Sequence, residues 1–225
     1  MSEWRHSQDF TPALGYPALT PIYDLAVRLF TREKSWRNHL INSLDVSPED
    51  RILDIGCGTG SLAVLLKQKQ PRCTVVGIDP DVKMLAKARK KSEQAGVKID
   101  WKQGFVNEAS RKKLGTFSKI VSSLVLHHLS NSVKREVLTC AKDLLSDSGV
   151  ICIADYGIQG SLLMKLLFRI VVQTVDGKAN TQPNAEGFVP DCLQKIGFHN
   201  ILEERVFHTL TGSISIYRAN ACGTD

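Results

Sequence analysis

The 225-residue chain has no long apolar run, no paired-cysteine motif and no leader-like start. Its longest apolar stretch, residues 161–172, is interrupted by Lys165 and Arg169 and is shorter than the roughly 20 residues that a membrane-spanning helix needs. The first ten residues lack the basic start and apolar run of a secretory signal peptide. The six cysteines contain no Cys-x-x-Cys pair, which fits reduced thiols better than disulfides or a zinc site. We therefore expect a cytoplasmic protein with no membrane span and no metal site.

The composition is that of an ordinary globular protein. Hydrophobic residues make up 43% and charged residues 23%, and the mean hydropathy is −0.10. The net charge of +6 is concentrated in residues 82–119, where eleven Lys and Arg face three Asp and Glu, a local net of +8. This segment is either the solvated face of a helix or a face that binds RNA or phosphate.

From residue 51 onward, short β-type runs alternate with helical patterns. This alternation is typical of a parallel sheet with helices on both faces, a doubly wound Rossmann-like α/β fold. The predicted strands are 51–55, 74–79, 98–102, 119–123 and 150–155, and the predicted helices are 60–70, 81–95 and 132–146. Glycine commonly ends helices, so we expect the third helix to close at Ser148-Gly149.

The alternation of strand and helix patterns ends after residue 155. A mostly helical stretch to about residue 196 is followed by residues 201–210 and 213–218, which read as a closing β-hairpin around Thr211-Gly212. The hairpin completes a seven-stranded, mostly parallel sheet. Residues 1–45 are predicted as a helical cap on the Rossmann-like core of residues 46–225, within a single domain.

A glycine-rich turn follows the first predicted strand. Asp54 precedes three alternating glycines, Gly56, Gly58 and Gly60, which let the backbone pass close to a ligand. The dinucleotide fingerprint would need glycine or alanine where this chain has Ser61, so NAD is not favoured. The turn predicts a different nucleotide-like ligand.

A second carboxylate, Asp79, ends the second strand 19 residues after Gly60. A carboxylate at this point can accept hydrogen bonds from both hydroxyls of a ribose. The alternative is a surface aspartate that caps the helix beginning at Asp81.

These motifs resemble those of class I S-adenosylmethionine-dependent methyltransferases, most closely the small-molecule enzymes of the ubiquinone/menaquinone-biosynthesis type, over nearly the whole chain. The resemblance implies S-adenosylmethionine as cofactor, S-adenosylhomocysteine as product and in-line methyl transfer to a small molecule rather than to nucleic acid. The cofactor-binding residues that it implies are Tyr23, Asp54, Gly56, Cys57, Gly58, Gly60, Asp79, Pro80, Met84, Gly104, Phe105, Ser123 and Leu124.

Two of these positions depart from the pattern or allow a second interpretation. Phe105 stands where the family usually has an acidic residue, so stacking of its ring would replace a polar contact with adenine. Cys57 lies inside the glycine turn, where a small packing residue is a simpler interpretation than thiol chemistry.

Two histidines follow the fourth strand, at the edge where open α/β sheets bind ligands. The segment is similar to that of phosphoethanolamine methyltransferases, whose histidine pairs with an N-terminal tyrosine; His128 and Tyr16 occupy these places. Leu124 replaces an acidic residue of that family, so a phosphobase acceptor is not predicted. With an ordinary pKa near 6.5, His128 is a candidate general base, whereas His127 is interpreted as a packing or capping residue.

Two further features have alternative interpretations. Asp155, at the end of the fifth strand, is either part of a turn or a substrate contact, and the helix over residues 161–173 is either a core helix or the wall of an acceptor pocket. For the whole chain, RNA methylation and a catalytically silent cofactor-binding protein are the alternatives to a small-molecule methyltransferase.

Overall fold

The computed structural model describes residues 33–223. The strands are β1 Arg51–Ile55, β2 Thr74–Asp79, β3 Asp100–Gln103, β4 Phe117–Ser123, β5 Leu145–Tyr156, β6 His199–Thr209 and β7 Gly212–Asn220. The α-helices are α1 Glu33–Leu44, α2 Ser61–Lys69, α3 Val82–Gln94, α4 Glu108–Leu114, α5 Asn131–Leu144, α6 Leu162–Phe168, α7 Thr174–Asp176, α8 Lys178–Ala185 and α9 Phe188–Ile196. A 3-10 turn covers Leu126–His128, and a π-helical segment covers Arg169–Gln173.

The strands form one sheet in the order β3-β2-β1-β4-β5-β7-β6. Strands β1 to β5 pair in parallel, and β7 is antiparallel to both of its neighbours. The predicted doubly wound fold with its C-terminal hairpin is therefore confirmed. The strand order reverses between β1 and β4, and open α/β sheets bind ligands at the carboxyl ends of the strands beside such a reversal.

The central strands are apolar because helices cover both faces of the sheet. In β1 and β4, successive residues enter different cores: Leu53 and Ile120 pack into one cluster, and Ile52 and Val121 into the other. Burying each such side chain contributes about 1.5–3 kcal/mol. This alternation fixes which face of the sheet each helix covers.

The first described helix, α1, packs against β5 and β7. Its side chains Trp36, Leu40 and Leu44 are buried in the cluster that contains Ile52. Of the predicted cap over residues 1–45, residues 1–32 lie outside the described residues. The described part is a helix packed on the sheet.

The boundary between α5 and β5 differs from the prediction. The helix ends at Leu144 and the strand begins at Leu145, so Gly149 lies within β5 and the expected stop at Ser148-Gly149 is wrong. Leu144 and Leu145 are both buried, and this burial turns the chain toward the sheet before the glycine is reached. The pairing of β4 with β5 shifts register in this region.

Helix α6 and the π-helical segment after it bury only one side. Met164, Phe168 and Val172 are buried. Leu162 and Ile170, in contrast, are 85% and 60% exposed, so this is not a fully buried core helix. The π-helical segment inserts one extra-wide turn ahead of α7.

None of the helices in residues 33–223 is long and apolar enough to cross a membrane. All six cysteines are free, and only Cys222 is exposed. The prediction of reduced thiols agrees with this arrangement.

Candidate active site

A cavity of about 290 Å³ opens at the carboxyl ends of β1, β2 and β4, beside the reversal of strand order. Most of the residues predicted from sequence line it: Gly56, Gly58, Asp79, Pro80, Met84, Gly104, Phe105, Leu124 and His128. Four other predicted residues do not line the cavity, although each is within two positions in sequence of a residue that does: Asp54, Cys57, Gly60 and Ser123. Tyr16 and Tyr23 lie outside the described residues, and no residue of the segment 161–173 lines the cavity.

The three glycines of the turn after β1 serve different contacts. All three have positive φ angles, between 52° and 73°, which side-chain-bearing residues rarely adopt. A Cβ atom on Gly58 would meet nothing within 4 Å, whereas one on Gly56 would lie 2.4 Å from Val125 and one on Gly60 would lie 2.5 Å from Trp101. Gly56 and Gly58 line the cavity, and of the three glycines Gly58 faces open space while Gly60 makes room for the Trp101 ring. The expected approach of the backbone to a ligand stays a prediction.

Asp79 connects the end of β2 to the glycine turn. Its carboxylate accepts hydrogen bonds from the Gly58 N–H at 2.8 Å and from the Asp81 N–H at 2.9 Å. Burial raises the pKa of Asp79 above its ordinary value, although these two N–H groups partly offset the effect. Asp81, not Asp79, caps α3 by accepting from the Lys83 and Met84 N–H groups. Asp79 therefore keeps lone pairs available at the cavity.

Asp54 is a buried carboxylate beneath the same turn. It is 1% exposed, and no side chain of the described residues donates a hydrogen bond to it. Burial raises its pKa to about 7, while the Arg37 charge acts in the opposite direction. Because the effect of burial outweighs the Arg37 charge and the Ala63 N–H, this position is suited to a further cationic or hydrogen-bonding partner.

The far side of the cavity is formed by residues that follow β3. Gly104 has a φ of 146° and nothing within 4 Å of a Cβ position, and Phe105 is 44% exposed. Asn107 also lines the cavity and caps α4, where its side chain accepts from the Ser110 N–H at 2.9 Å.

Two other predicted positions have structural features of their own. Cys57 is buried behind the turn, and burial raises the pKa of its thiol, which fits a packing role. Leu124, directly after β4, has a φ of 55°, a strained conformation for leucine, and its N–H donates to the Ala154 carbonyl at 2.8 Å. Strained backbone of this kind clusters at functional sites.

His128 lines the cavity but does not have an ordinary pKa. Burial, and secondarily the neighbouring His127, lower its pKa to about 3. The value near 6.5 taken for the sequence prediction is therefore wrong. The imidazole is neutral throughout the physiological pH range and is a weak base.

Asp155 organises the turn that carries the two histidines. Its carboxylate accepts from the Leu126 N–H at 2.7 Å and from the Val125 N–H at 3.1 Å, and it contacts His127 Nδ1 at 2.8 Å. Burial alone would raise the pKa of Asp155, but the His127 charge and these hydrogen bonds hold it below its ordinary value. Asp155 is fully buried, so the structure supports the turn interpretation over a substrate contact.

Asp176, from α7, reaches the same two histidines. One carboxylate oxygen lies 3.4 Å from His128 Nδ1, and the other lies 3.8 Å from His127 Nε2. The two imidazole rings are 4.0 Å apart between centroids. Burial raises the pKa of Asp176, and the His127 charge opposes this rise.

Part of the chain is similar in sequence to known proteins. Residues 52–149 match the family described as methyltransferase domain. The chain is 40% identical over 87 residues to a demethylmenaquinone methyltransferase of Thermus thermophilus, and 35% identical over 88 residues to a ubiquinone/menaquinone biosynthesis C-methyltransferase of Syntrophotalea carbinolica. Residues 52–149 are a class I methyltransferase domain. This match agrees with the predicted use of S-adenosylmethionine.

The similarity to curated relatives is partial. The matched segments cover 37% and 38% of this chain, and 39% and 36% of the respective relatives. The chain thus matches well under half the length of these two proteins.

Solved structures extend the fold comparison beyond the methyltransferase domain. An O-methyltransferase family protein from Burkholderia thailandensis superposes with a TM-score of 0.71 at 14% identity, covering 92% of this chain and 60% of that one. A magnesium protoporphyrin IX methyltransferase from Synechocystis with bound SAH gives 0.66 at 17% identity, covering 86% of each chain. At these identities the likeness is one of fold.

Several residues of the site are not predicted from sequence. Val133, Glu136 and Val137 of α5 line the cavity of the methyltransferase domain, and their spacing on one helix face could have suggested this. Asp176 carries no such signal, because it follows a long helical stretch after β5.

Proposed function

We propose that the chain is an S-adenosylmethionine-dependent methyltransferase that acts on a small molecule. The observation that carries the proposal is the link between Asp79 and the Gly58 N–H at the mouth of the cavity. The Asp79 carboxylate is suited to accept from a ribose diol, and this hydrogen bond holds it beside Gly58, whose backbone faces open space.

The residues around the cavity fit this cofactor. Asp79 would accept from the ribose hydroxyls, and the buried Asp54 would compensate positive charge at the methionine end. Gly104, Phe105 and Met84 would enclose the adenine. The other residues predicted to contact the cofactor are Gly56, Cys57, Gly60, Pro80, Ser123 and Leu124, with Tyr23 as a ring beside it.

The acceptor side is inferred from the rest of the lining. Leu124, Leu129 and Val133 offer apolar surface, which suits an organic acceptor and excludes water. Bound S-adenosylmethionine supplies a methyl group that is already activated, so in-line transfer depends mainly on positioning of the acceptor. Because its pKa is low, we assign His128 to orienting the acceptor rather than to removing a proton, with Tyr16 as its predicted partner.

The organisation of the chain belongs to the same proposal. Residues 46–225 would form the catalytic core, and residues 1–45 would form the cap. The cytoplasmic location stays a prediction from sequence.

Asp79→Ala tests the cofactor site. We expect S-adenosylhomocysteine to bind about 10- to 100-fold more weakly, a loss of about 1.5–3 kcal/mol, because two ribose hydroxyls would lose a charged acceptor. Titration calorimetry measures the affinity, and circular dichroism checks the fold. Asp100→Ala is the matched control, since Asp100 is exposed and its ion-pair partner is Lys102. Unchanged affinity in folded Asp79→Ala would refute this cofactor site.

The acceptor class is tested with methyl-labelled S-adenosylmethionine and fractionated cell extract. Label in a small organic product supports the proposal. Label in RNA would instead favour use of the basic face over residues 82–119. Tight cofactor binding without transfer to any fraction would favour the silent binding protein.

A further inference from the structure

Three side chains converge beside the cavity, and the methyl-transfer proposal uses only one of them, His128. His127, His128 and Asp176 each offer one ligand atom, and these atoms all lie within 4.8 Å of one another. We propose that they bind a divalent transition-metal ion of the zinc or ferrous class. This inference concerns metal binding alone and does not depend on the proposed methyl transfer.

The hydrogen bonds around Asp155 indicate which ring nitrogen of His127 carries hydrogen. The Asp155 carboxylate already accepts from three backbone N–H groups, those of Val125, Leu126 and Tyr156. A carboxylate in this setting is an acceptor, so His127 Nδ1, at 2.8 Å, carries the hydrogen and donates it. In the uncharged form of the ring, which is the form that binds metals, the lone pair is then on Nε2, which faces Asp176.

Two electron-rich atoms therefore face each other. His127 Nε2 and the Asp176 oxygen are 3.8 Å apart, too far for a direct hydrogen bond. His128 Nδ1 lies 3.4 Å from the other oxygen of the same carboxylate. A tetrahedral ion bound at about 2.1 Å by each ligand holds neighbouring ligand atoms about 3.4 Å apart. The separation of 3.4 Å equals that spacing and the separation of 3.8 Å exceeds it by 0.4 Å, so a small movement of the side chains would complete the site.

The residues around the three side chains make the supporting contacts that are usual at metal sites. Metal-ligating histidines usually donate their other ring N–H to a carboxylate, as His127 does to Asp155. The Asn180 side chain donates to the His128 carbonyl at 3.1 Å and holds that residue in place. Two imidazoles with one carboxylate form a ligand set found for zinc and for non-haem iron, and it leaves positions open for a further ligand.

The sequence shows no metal-ligand spacing, and we expected no metal there. The two histidines are adjacent, but Asp176 follows β5, α6 and the π-helical segment, which bring it back to them. A π-helical segment at this point agrees with a functional role, since such turns are frequent at functional sites.

The test is metal binding by the untagged full-length chain. After treatment with EDTA and buffer exchange, Zn²⁺ is titrated calorimetrically, and Co²⁺ is titrated by visible absorption, which reports nitrogen and oxygen coordination. We expect about one ion per chain. Asp176→Asn and His128→Asn should each weaken binding at least tenfold, and Asp155→Asn should weaken it about 10- to 100-fold through His127.

His199→Asn is the matched control, because His199 lies on β6 away from the cavity and its loss should leave the affinity unchanged. Circular dichroism shows which variants fold, and if His128→Asn does not fold, Asp176→Asn decides. Failure of the folded parent to bind either ion, or equal affinity in parent and Asp176→Asn, would overturn the inference. Loss of metal binding with intact S-adenosylhomocysteine binding would separate this site from the cofactor site.

Discussion

Gly58 and Gly60 are two residues apart in one turn, and a side chain at each position would meet different surroundings. Gly58 faces the cavity, whereas Gly60 faces Trp101 and Ala88. The first is positioned to admit a ligand and the second to pack a helix against the sheet.

Gly58→Ala and Gly60→Ala should therefore have opposite main effects. Gly58→Ala should reduce S-adenosylhomocysteine affinity at least tenfold and lower the free energy of unfolding by only about 1–2 kcal/mol, the cost of a left-handed alanine. Gly60→Ala should add an overpacking cost of about 1–3 kcal/mol to that strain, with affinity close to that of the parent. Urea unfolding and calorimetry on both variants measure the two quantities, and equal effects on affinity would contradict the division.

Asp54 makes the free energy of unfolding depend on pH. Folding raises its pKa from 3.8 to about 7, so between these values the folded state retains a proton that the unfolded state has released. Stability contributed by this group is thus present at low pH and is lost as pH rises toward 7.

Asp54→Asn should remove that pH dependence. Relative to the parent, the variant should gain about 2–4 kcal/mol of unfolding free energy as pH rises from about 4 to above 7. It should bind S-adenosylmethionine more weakly at pH 8, because the buried charge is missing. Urea unfolding across this pH range is the measurement, and a constant difference between the two proteins would show that Asp54 is already charged at low pH.

At the scale of elements, α5 and α8 are joined by a buried lysine. Lys134 Nζ donates to the Asn180 carbonyl at 2.6 Å and to the Asn184 side chain at 2.7 Å, and Asn184 in turn donates to Asp155 at 3.3 Å. The chain of contacts extends from α5 through α8 to the end of β5. It supports the turn on which the histidines lie.

Lys134→Met should weaken this junction. The Asn180 carbonyl and the Asn184 amide would lose their donor, a cost of about 1–3 kcal/mol at pH 10 or above. Burial lowers the pKa of Lys134 from 10.5 to about 8, so the unfolded state holds more protons between these values and the parent gains stability relative to the variant as pH rises. Arg135→Met, an exposed change on the same helix, should show neither effect in urea titrations. A parent–variant difference that shrinks with pH would contradict the assignment.

How far these elements follow from sequence depends on the range of the interactions involved. The strands β1 and β2 and the residues at their ends are predicted correctly, because local apolar runs define them and parallel strands bring their carboxyl ends to one edge. The end of α5 is not predicted, since the burial of Leu144 and Leu145 outweighs the glycine signal. Asp176 is not predicted either, because only the path of α6 and the π-helical segment brings it to the histidines.

For the whole molecule, the two hydrophobic clusters share one sheet, which indicates one cooperative unit. Trp36 is buried in α1 against β5 and β7, and Trp101 lies in β3 at the opposite edge of the sheet. If the described part of the chain is a single domain, the β3 side and the β5–β7 side of the sheet should unfold together.

Two variants, each with a single tryptophan, test this cooperativity. Trp4→Phe/Trp101→Phe keeps only Trp36, and Trp4→Phe/Trp36→Phe keeps only Trp101. Within each variant, we expect the fluorescence transition in urea to coincide with the transition followed by far-ultraviolet circular dichroism. A fluorescence midpoint that is clearly separated from the circular dichroism midpoint would indicate that the two ends unfold independently.

The place of β7 in the sheet affects how the protein can fold during synthesis. β7 follows β6 in the chain but lies between β5 and β6. Until residues 212–220 have left the ribosome, β5 therefore has an open edge and β6 has no partner strand in the sheet. Unpaired edges of this kind readily join other chains. The nascent protein consequently passes through an association-prone stage that ends only when residues 212–220 pair with β5 and β6.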